Sequence, residues 1–195
     1  EELRAEQVTS GFIRTRLYQE IERRCRKALK RQRIQYIFGD SQIGKTTSLK
    51  EYQRQNNHGE TVYIEIPAGG SLGGLLQQMA NHYNIPSVMK HRQLCDRVIE
   101  CVDSNQLIIL DEFHNALRSP TTTAFVRELW NRKQPGLVIS MTNEGRDTLT
   151  KGSHAKAFEQ LWRRRITPLQ LPAVTPDDDA ALFAHAYGLP TATEE

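Results

Sequence analysis

The segment from Gly39 to Thr46 has the residue types and spacing of a phosphate-binding loop. It reads GDSQIGKT and fits the pattern GxxxxGK[ST]. The two glycines let the backbone fold back so that its N–H groups converge on phosphate oxygens, and a helix that begins there adds its positive end. Lys45 is expected to reach the β- and γ-phosphates, and Thr46 to ligate Mg²⁺. The expected nucleotide contacts are Gly39, Asp40, Ser41, Gln42, Ile43, Gly44, Lys45, Thr46 and Thr47.

Two adjacent carboxylates form the second candidate for chemistry. Asp111 and Glu112 directly follow the apolar run Leu107–Leu110, about 65 residues after the phosphate loop. Such a run predicts a buried strand, which would place both carboxylates at its tip beside the loop. Asp111 is expected to hold Mg²⁺, usually through water. Glu112 is expected to orient and polarise the attacking water as a general base.

Polar groups in the second half of the chain have two interpretations each. Asn143, or Thr142 beside it, follows an apolar strand and could bond the γ-phosphate or the water; alternatively, Asn143 is a turn residue. The arginines of 163–165 are costly to bury, so they should face solvent or a partner. One of them could reach a neighbouring subunit's γ-phosphate as an arginine finger. His114 is interpreted as a structural residue.

Hydrophobic periodicity predicts the elements that must position these groups. An amphipathic helix is expected over 12–29, and helices over 46–55, 72–83, 91–101, 121–132, 153–162 and from 176 to about 187. Strands are expected at 34–38, 61–66, 107–110, 137–141 and 166–171. Because strands alternate with helices, the fold class should be α/β, with a central parallel five-stranded sheet flanked by helices. Ligands of such sheets bind at the carboxyl ends of the strands.

Composition limits the cellular compartment and the kinds of partner that are expected. The chain has 195 residues and a net charge of +3, and its densest apolar run, Leu107–Leu110, is four residues long. A membrane helix needs about 20 apolar residues, so no membrane partner is expected. Three cysteines without a CxxC pair predict reduced thiols and a cytoplasmic protein. Seven bases and no acid lie between Arg23 and Arg33, which indicates a solvated helix face or a polyanion partner.

With these residues in place, the chain resembles AAA+ ATPases of the DNA-transposition class, the group of phage Mu B protein, TnsC and TniB and, more distantly, IstB. The resemblance runs from Phe12 to Leu171. The segments that carry it are GDSQIGKT, VYIEIPAGGS, LIILDEFHNAL, GLVISMTNE and FEQLWRRR. It implies an AAA+ P-loop fold, ATP and Mg²⁺ as cofactors, and ATP hydrolysis. It also implies that Asn143 is the sensor residue and that Arg163 or Arg164 is the finger that acts in trans.

The same resemblance implies particular partners. They are duplex DNA held through its phosphates, further copies of the chain in an oligomer or filament with ATP sites at subunit interfaces, a transposase and a target-selection protein. Hydrolysis would disassemble the filament. Members that grip DNA carry bases on two loops, but here the loop Ala68–Gly74 has none and offers only Ser71. The second loop offers Lys90 and Arg92. The expected DNA contacts are therefore Ser71, Lys90 and Arg92.

The resemblance also predicts the domain organisation. Residues 1–30 should form a basic amphipathic lead-in, residues 31–172 the nucleotide-binding core, and residues 173–195 the start of a helical lid that is absent or truncated. Two other functions are alternatives. A nucleotide-switch ATPase of signalling or defence, clamping protein partners, usually carries a further helical domain. A small-molecule kinase would need a substrate pocket and an arginine-bearing lid.

Overall fold

The computed structural model describes residues 11–86, 89–117, 119–151, 167–172 and 176–186, together with Glu159, Arg163 and Arg165. Its strands are β1 Ile34–Phe38, β2 Thr61–Glu65, β3 Leu107–Asp111, β4 Gly136–Met141 and β5 Leu169–Gln170. Its helices are α1 Arg16–Arg31, α2 Lys45–Gln55, α3 Leu72–His82, α4 His91–Cys101, α5 Pro120–Lys133, α6 Asn143–Lys151 and α7 Pro176–Ala186. A short 3₁₀ helix, Phe113–Ala116, follows β3.

The five strands form one parallel sheet in the order β2-β3-β4-β1-β5. Strand β4 lies between β1 and β3, with Phe38 paired to Met141 and Leu110 paired to Ile139. The carboxyl ends of β1, β4 and β3 therefore lie side by side along one edge of the sheet, where ligands of such sheets bind. The predicted α/β class, with a parallel five-stranded sheet flanked by helices, is confirmed.

Two apolar clusters cover the two faces of the sheet, because side chains alternate along each strand. In β1, Tyr36 and Phe38 belong to the cluster that α3, α4 and α5 complete, and Ile37 belongs to the cluster under α1 and α2. All five residues of β1 and of β3 are buried. The result is a three-layer domain. Among the described residues, no helix is both long and apolar enough to cross a lipid bilayer.

Helix α1 begins later than the periodicity predicted. The side chain of Thr15 accepts a hydrogen bond from the backbone N–H of Tyr18 at 3.1 Å, so Thr15 caps the helix and residues 12–14 stay outside it. The basic run on α1 is partly neutralised within the helix. Arg23 is paired with Glu20, and Arg26 with Glu22.

Two boundaries near the end of the chain also differ from the predictions. The segment 143–151 is a helix, so the interpretation of Asn143 as a turn residue is wrong. A Cβ atom at Gly145 would lie 2.8 Å from Cβ of His114, and glycine lets this helix pack closely against the 3₁₀ helix. Strand β5 is only two residues long, because Pro168 has no N–H to donate to the ladder. The helix predicted at 153–162 lies outside the described residues, apart from Glu159.

Candidate nucleotide-binding site

The phosphate loop joins β1 to α2, and its two glycines have separate structural reasons. A Cβ atom at Gly39 would lie 2.5 Å from the side chain of Ile43 and 3.1 Å from Cβ of Leu171. Gly44 has φ +92, the left-handed region that glycine adopts without strain. Gln42 also has a positive φ, of 66. The backbone conformation therefore favours glycine at position 44, and the absence of a side chain at position 39 leaves room for Ile43 and Leu171.

Lys45 points back into the loop it follows. Its side chain is 4% exposed, and its ammonium donates to the carbonyl oxygens of Gly39 at 2.9 Å and Asp40 at 2.6 Å. Burial lowers the pKa of Lys45 from its ordinary value, while the negative charges of Asp111, Glu112 and Asp40 oppose that shift. A cation is thus held at the centre of a curved loop, where it can meet an anion.

Asp111 is fully buried at the tip of β3 and accepts three hydrogen bonds. One oxygen, Oδ2, accepts from the hydroxyl of Thr46 at 2.7 Å and from the hydroxyl of Tyr63 at 3.0 Å. The other, Oδ1, accepts from the backbone N–H of Glu112 at 2.9 Å. Burial and then the charge of Asp111 raise the pKa of Tyr63 well above its ordinary value, so the phenol keeps the proton that it donates.

Glu112 has a backbone conformation that is rare outside glycine. Its φ of 54 and ψ of 32 are left-handed, which costs roughly 1–2 kcal/mol for a residue with a Cβ. Its side chain is one-third exposed (33%), and one carboxylate oxygen lies 3.5 Å from Nε2 of His114. His114, interpreted from the sequence as structural, is therefore also a direct neighbour of the predicted general base. Strain of this kind is concentrated at functional sites.

Asn143 belongs to a chain of polar side chains along the same edge. Its Nδ2 donates to Oδ1 of Asp40 at 2.6 Å, and its Oδ1 accepts from Nε2 of Gln170 at 2.7 Å. Arg146 in turn donates to Oε1 of Gln170 at 2.7 Å. Both ends of the Asn143 amide are thus engaged, and its donor end faces the phosphate loop.

Two neighbouring cavities open beside these groups. The first, of about 310 Å³, is lined by the loop and by Glu112. The second, of about 380 Å³, is mostly apolar, with walls formed by Phe12, Ile13, Leu17, Ile43 and Leu182. Both touch Gln42, Gly44 and Thr47, so the phosphate loop is their common wall. The first cavity is polar, which suits the phosphates of a nucleotide, and the second is mostly apolar, which suits a base.

The α7 helix closes the apolar cavity and is attached to the start of α1. Oδ1 of Asp178 accepts the backbone N–H of Arg16 at 2.9 Å. Asp177 forms an exposed ion pair with the Arg16 guanidinium at 3.2 Å. The first N–H groups of a helix have no partner within the helix, so Asp178 satisfies one of them from another element.

The residues present fit a Mg²⁺–nucleotide. The Thr46 hydroxyl and the Asp111 carboxylate are hard oxygen donors 2.7 Å apart, as Mg²⁺ prefers. The loop amides, Lys45 and the start of α2 provide the positive environment that a triphosphate requires. The predicted loop residues, Asp111, Glu112 and Asn143 come together at one edge of the sheet.

Arg163 and the predicted DNA contacts are not among the residues that line the two cavities. Arg163 is 76% exposed and paired with Glu159, and Arg164 lies outside the described residues. Ser71 caps α3 by accepting from the N–H of Gly74 at 3.2 Å. Lys90 and Arg92 are exposed at the start of α4. All of these assignments remain predictions.

Three residues of the site were not predicted from the sequence. Tyr63 lies on β2, Gln170 on β5 and Asp178 on α7, and each is far in sequence from the residue to which it is hydrogen-bonded. Gln170 had a usable signal, because it is the next-to-last residue of the predicted strand 166–171, near the edge of the sheet where the ligand is expected. Tyr63 and Asp178 gave none, since each resembles an ordinary surface residue of its element.

The fold and the site together define a P-loop protein of the α/β class. The chain belongs to the AAA domain family, whose model matches residues 23–149. No curated protein sequence matches the chain.

Several solved structures are similar to the chain at 12–13% sequence identity. The Aeropyrum pernix ORC1 protein in complex with DNA matches with a TM-score of 0.65 and 13% identity, over 88% of this chain and 48% of that one. DnaA from Aquifex aeolicus, bound to AMPPCP, matches with a TM-score of 0.59 and 13% identity, over 94% and 56%. Drosophila ORC bound to DNA matches with a TM-score of 0.54 and 12% identity, over 82% and 90%. The chain spans about half the length of the ORC1 and DnaA chains.

Proposed function

We propose that this protein is a Mg²⁺-dependent ATPase that works as an oligomer on duplex DNA and regulates DNA transposition. The observation that carries the ATPase part is the contact between the Thr46 hydroxyl and buried Asp111, with Lys45 and Glu112 beside them. A triphosphate in the polar cavity would meet the loop amides and the ammonium of Lys45. This arrangement suits hydrolysis, because the carboxylate of Glu112 lines the same cavity as the phosphate loop.

The apolar cavity is proposed as the site of the base. Its aliphatic walls and Phe12 suit the faces of a purine ring. The carboxylates of Asp178 and Asp179 line the same cavity and can accept hydrogen bonds from an exocyclic amino group, which adenine has at position 6. ATP is therefore the proposed nucleotide.

Each side chain then has a defined part in hydrolysis. Lys45 would bind the β- and γ-phosphates, and Thr46 and Asp111 would hold Mg²⁺, which would supply positive charge beside the phosphates. Glu112 takes a proton from the attacking water. Asn143 would donate a hydrogen bond from Nδ2 to the terminal phosphate. The same Nδ2 faces the phosphate loop in this structure, where it donates to Asp40.

DNA binding and transposition rest on separate support. The similar solved structures include ORC1 and ORC bound to DNA and DnaA bound to a nucleotide analogue. The transposition role rests on the resemblance of the segments that surround the nucleotide motifs. Ser71, Lys90 and Arg92 are proposed to contact the phosphates of the duplex. The starts of α3 and α4 are close, since a Cβ atom at Gly73 would lie 3.9 Å from the ring of His91.

A steady-state ATPase assay tests the proposal. Turnover per subunit should require Mg²⁺ and should rise with added duplex DNA and with protein concentration. DNA stimulation should decline steeply with salt, because phosphate contacts release counterions. Lys45→Ala should abolish nucleotide binding, whereas Lys133→Ala, a lysine that donates to the carbonyl of Glu100 far from the loop, should not. Turnover that stays constant on dilution and on DNA addition contradicts the oligomeric DNA-binding function and favours a nucleotide switch that clamps protein partners.

Mixing two inactive variants tests the finger separately. Arg163→Ala combined with Arg164→Ala removes both candidate fingers and leaves the chain's own phosphate loop intact. Lys45→Ala removes the loop function and leaves the fingers intact. If the finger acts in trans, mixed oligomers contain interfaces with one intact loop and one intact finger, and activity returns. A finger is worth about 10³–10⁵ in rate, so even a minority of such interfaces is measurable. No recovery in a mixture that still assembles would exclude these two arginines.

A further inference from the structure

Tyr63 supplies Asp111 with a hydrogen bond from outside both nucleotide motifs. It lies on β2, at the position paired with Ile109, and Asp111 is two residues further along β3 on the same face of the sheet. This diagonal relation between paired strands lets a long side chain reach across. Its hydroxyl donates to Oδ2 of Asp111 at 3.0 Å.

The Tyr63 ring is also in contact with a lysine of the neighbouring helix α2. The ammonium of Lys50 lies 5.5 Å from the centre of the ring and forms an ion pair with Glu65 at 3.0 Å. Lys50 is on α2, the helix that begins with Lys45 and Thr46. The ring is thus fixed between the strand that carries it and the helix that carries the phosphate-binding residues.

We propose that Tyr63 is a positioning residue that orients the Asp111 carboxylate for Mg²⁺. This proposal rests on the proposed function, in which Thr46 and Asp111 hold the metal. The Thr46 hydroxyl would then itself be part of the metal site. Among the described residues, two donors outside that site hold the carboxylate, the N–H of Glu112 on Oδ1 and the phenol of Tyr63 on Oδ2. Within the part of the chain that the structure describes, Tyr63 is the donor from outside the metal site to Oδ2, the oxygen that also accepts from Thr46.

Outer donors of this kind have measurable effects. Removing a hydrogen bond to a metal-ligating carboxylate typically costs about 10–100-fold in metal affinity or activity. A carboxylate that has lost its Oδ2 donor can rotate, so more Mg²⁺ is needed to reach the same occupancy. The loop amides and Lys45 do not depend on Tyr63, so binding of the nucleotide without metal should be unaffected.

The test is a Mg²⁺ titration of nucleotide affinity, with a fluorescent ATP analogue and no turnover in the readout. Tyr63→Phe keeps the ring and removes only the hydroxyl. The half-saturating Mg²⁺ concentration should rise about tenfold or more, with affinity in excess EDTA changed less than about twofold. The matched control is Tyr83→Phe, which removes a tyrosine hydroxyl that donates to Gln106 at 2.9 Å, just before the start of β3 and so at the opposite end of that strand from Asp111. It should leave both values unchanged.

Each outcome of the titration has one meaning. Wild-type affinity that does not respond to Mg²⁺ overturns the proposed function, and the role of Tyr63 with it. A normal wild-type response with an unshifted Tyr63→Phe curve overturns the role of Tyr63 alone. Equal shifts in Tyr63→Phe and Tyr83→Phe also overturn it. If Tyr63→Phe melts early, Tyr63→Leu must still show the same Mg²⁺ shift and the same affinity in EDTA; otherwise the role is rejected.

Discussion

The amide of Asn143 donates to the carboxylate of Asp40 at 2.6 Å and so joins the end of β4 to the phosphate loop. Gln170 accounts for the direction of this contact. Its Nε2 occupies the Oδ1 end of the Asn143 amide at 2.7 Å, which leaves only the Nδ2 end to face the loop. An asparagine oriented in this way can donate to an anion in the loop, and an asparagine that is free to flip cannot do so reliably.

We expect Asn143→Ala to slow hydrolysis and to reduce the preference for ATP over ADP. A hydrogen bond to a charged group contributes about 1.5–3 kcal/mol, which corresponds to about 10–100-fold in kcat. ADP affinity should change little, because ADP has no terminal phosphate to sense. Single-turnover hydrolysis and fluorescent nucleotide binding measure the two effects. Gln170→Ala should give a smaller decrease of the same kind, since Asn143 keeps its donor but loses its orienting partner.

The control for Asn143 is Asn81→Ala. Asn81 is an exposed asparagine on α3 whose Oδ1 accepts from Gln77 at 2.9 Å, away from the loop. It should leave hydrolysis and both affinities unchanged. A kcat that is unaltered in Asn143→Ala, or equal losses of ATP and ADP affinity, would show that Asn143 supports the loop without sensing the terminal phosphate.

Glu112→Gln should separate binding from hydrolysis. The amide cannot take a proton from water, and general base catalysis is worth about 10²–10⁴ in rate, so kcat should fall by that factor. ATP affinity should be retained, because the loop and Lys45 are untouched. The matched variant Glu144→Gln changes an exposed glutamate in the first turn of α6 and should behave as wild type. A Glu112→Gln protein with more than a tenth of the wild-type rate would rule out Glu112 as the base.

The sequence predicted most of the fold because most strands and helices can be identified from the hydrophobic pattern of a short segment. The run Leu107–Leu110 is buried at every residue, and such runs identify strands of a parallel sheet without knowledge of their neighbours. Helix α6 was missed because its sequence, NEGRDTLTK, is polar and contains a glycine. That glycine is required by the approach of His114, a tertiary contact that periodicity does not report.

The residues of the candidate site also fall into two groups, those within a local motif and those that tertiary packing brings to it. The residues from Gly39 to Thr47 and the pair Asp111–Glu112 are contiguous in sequence, so a motif contains them. Tyr63, Gln170 and Asp178 are instead hydrogen-bonded to Asp111, Asn143 and Arg16, which lie 48, 27 and 162 positions away in the sequence. Such contacts depend on strand order and on helix docking, which arise from packing of the whole chain and not from any local segment.

Asp178→Ala should weaken ATP and ADP binding by the same factor. Asp178 is 7% exposed and accepts the N–H of Arg16, and this contact holds α7 against the start of α1, where the two helices enclose the apolar cavity. The loss of a hydrogen bond to a charged group costs about 1.5 kcal/mol or more, which corresponds to about tenfold in affinity. Fluorescent ATP and ADP titrations measure both values.

The neighbouring Asp177→Ala provides the comparison for Asp178. Asp177 forms an ion pair with Arg16, but both side chains are about 70% exposed (68% and 73%) and such pairs contribute little. It should bind both nucleotides as wild type does. If Asp178→Ala weakens ATP and leaves ADP unchanged, the contact acts on the phosphates and the apolar cavity does not hold the base.

The last prediction concerns the loop after β2, where two adjacent glycines should differ sharply in their tolerance of alanine. Gly69 has φ +90 with open space around it, so Gly69→Ala should cost only the left-handed strain, about 1–2 kcal/mol. Gly70 has φ +47, and a Cβ there would overlap the carbonyl of Asn115 and lie 2.7 Å from Cα of Ala116. Backbone cannot move aside as a side chain can, so Gly70→Ala should cost about 1–3 kcal/mol more than Gly69→Ala in urea unfolding. Equal losses would mean that the loop does not dock on the 3₁₀ helix through Gly70.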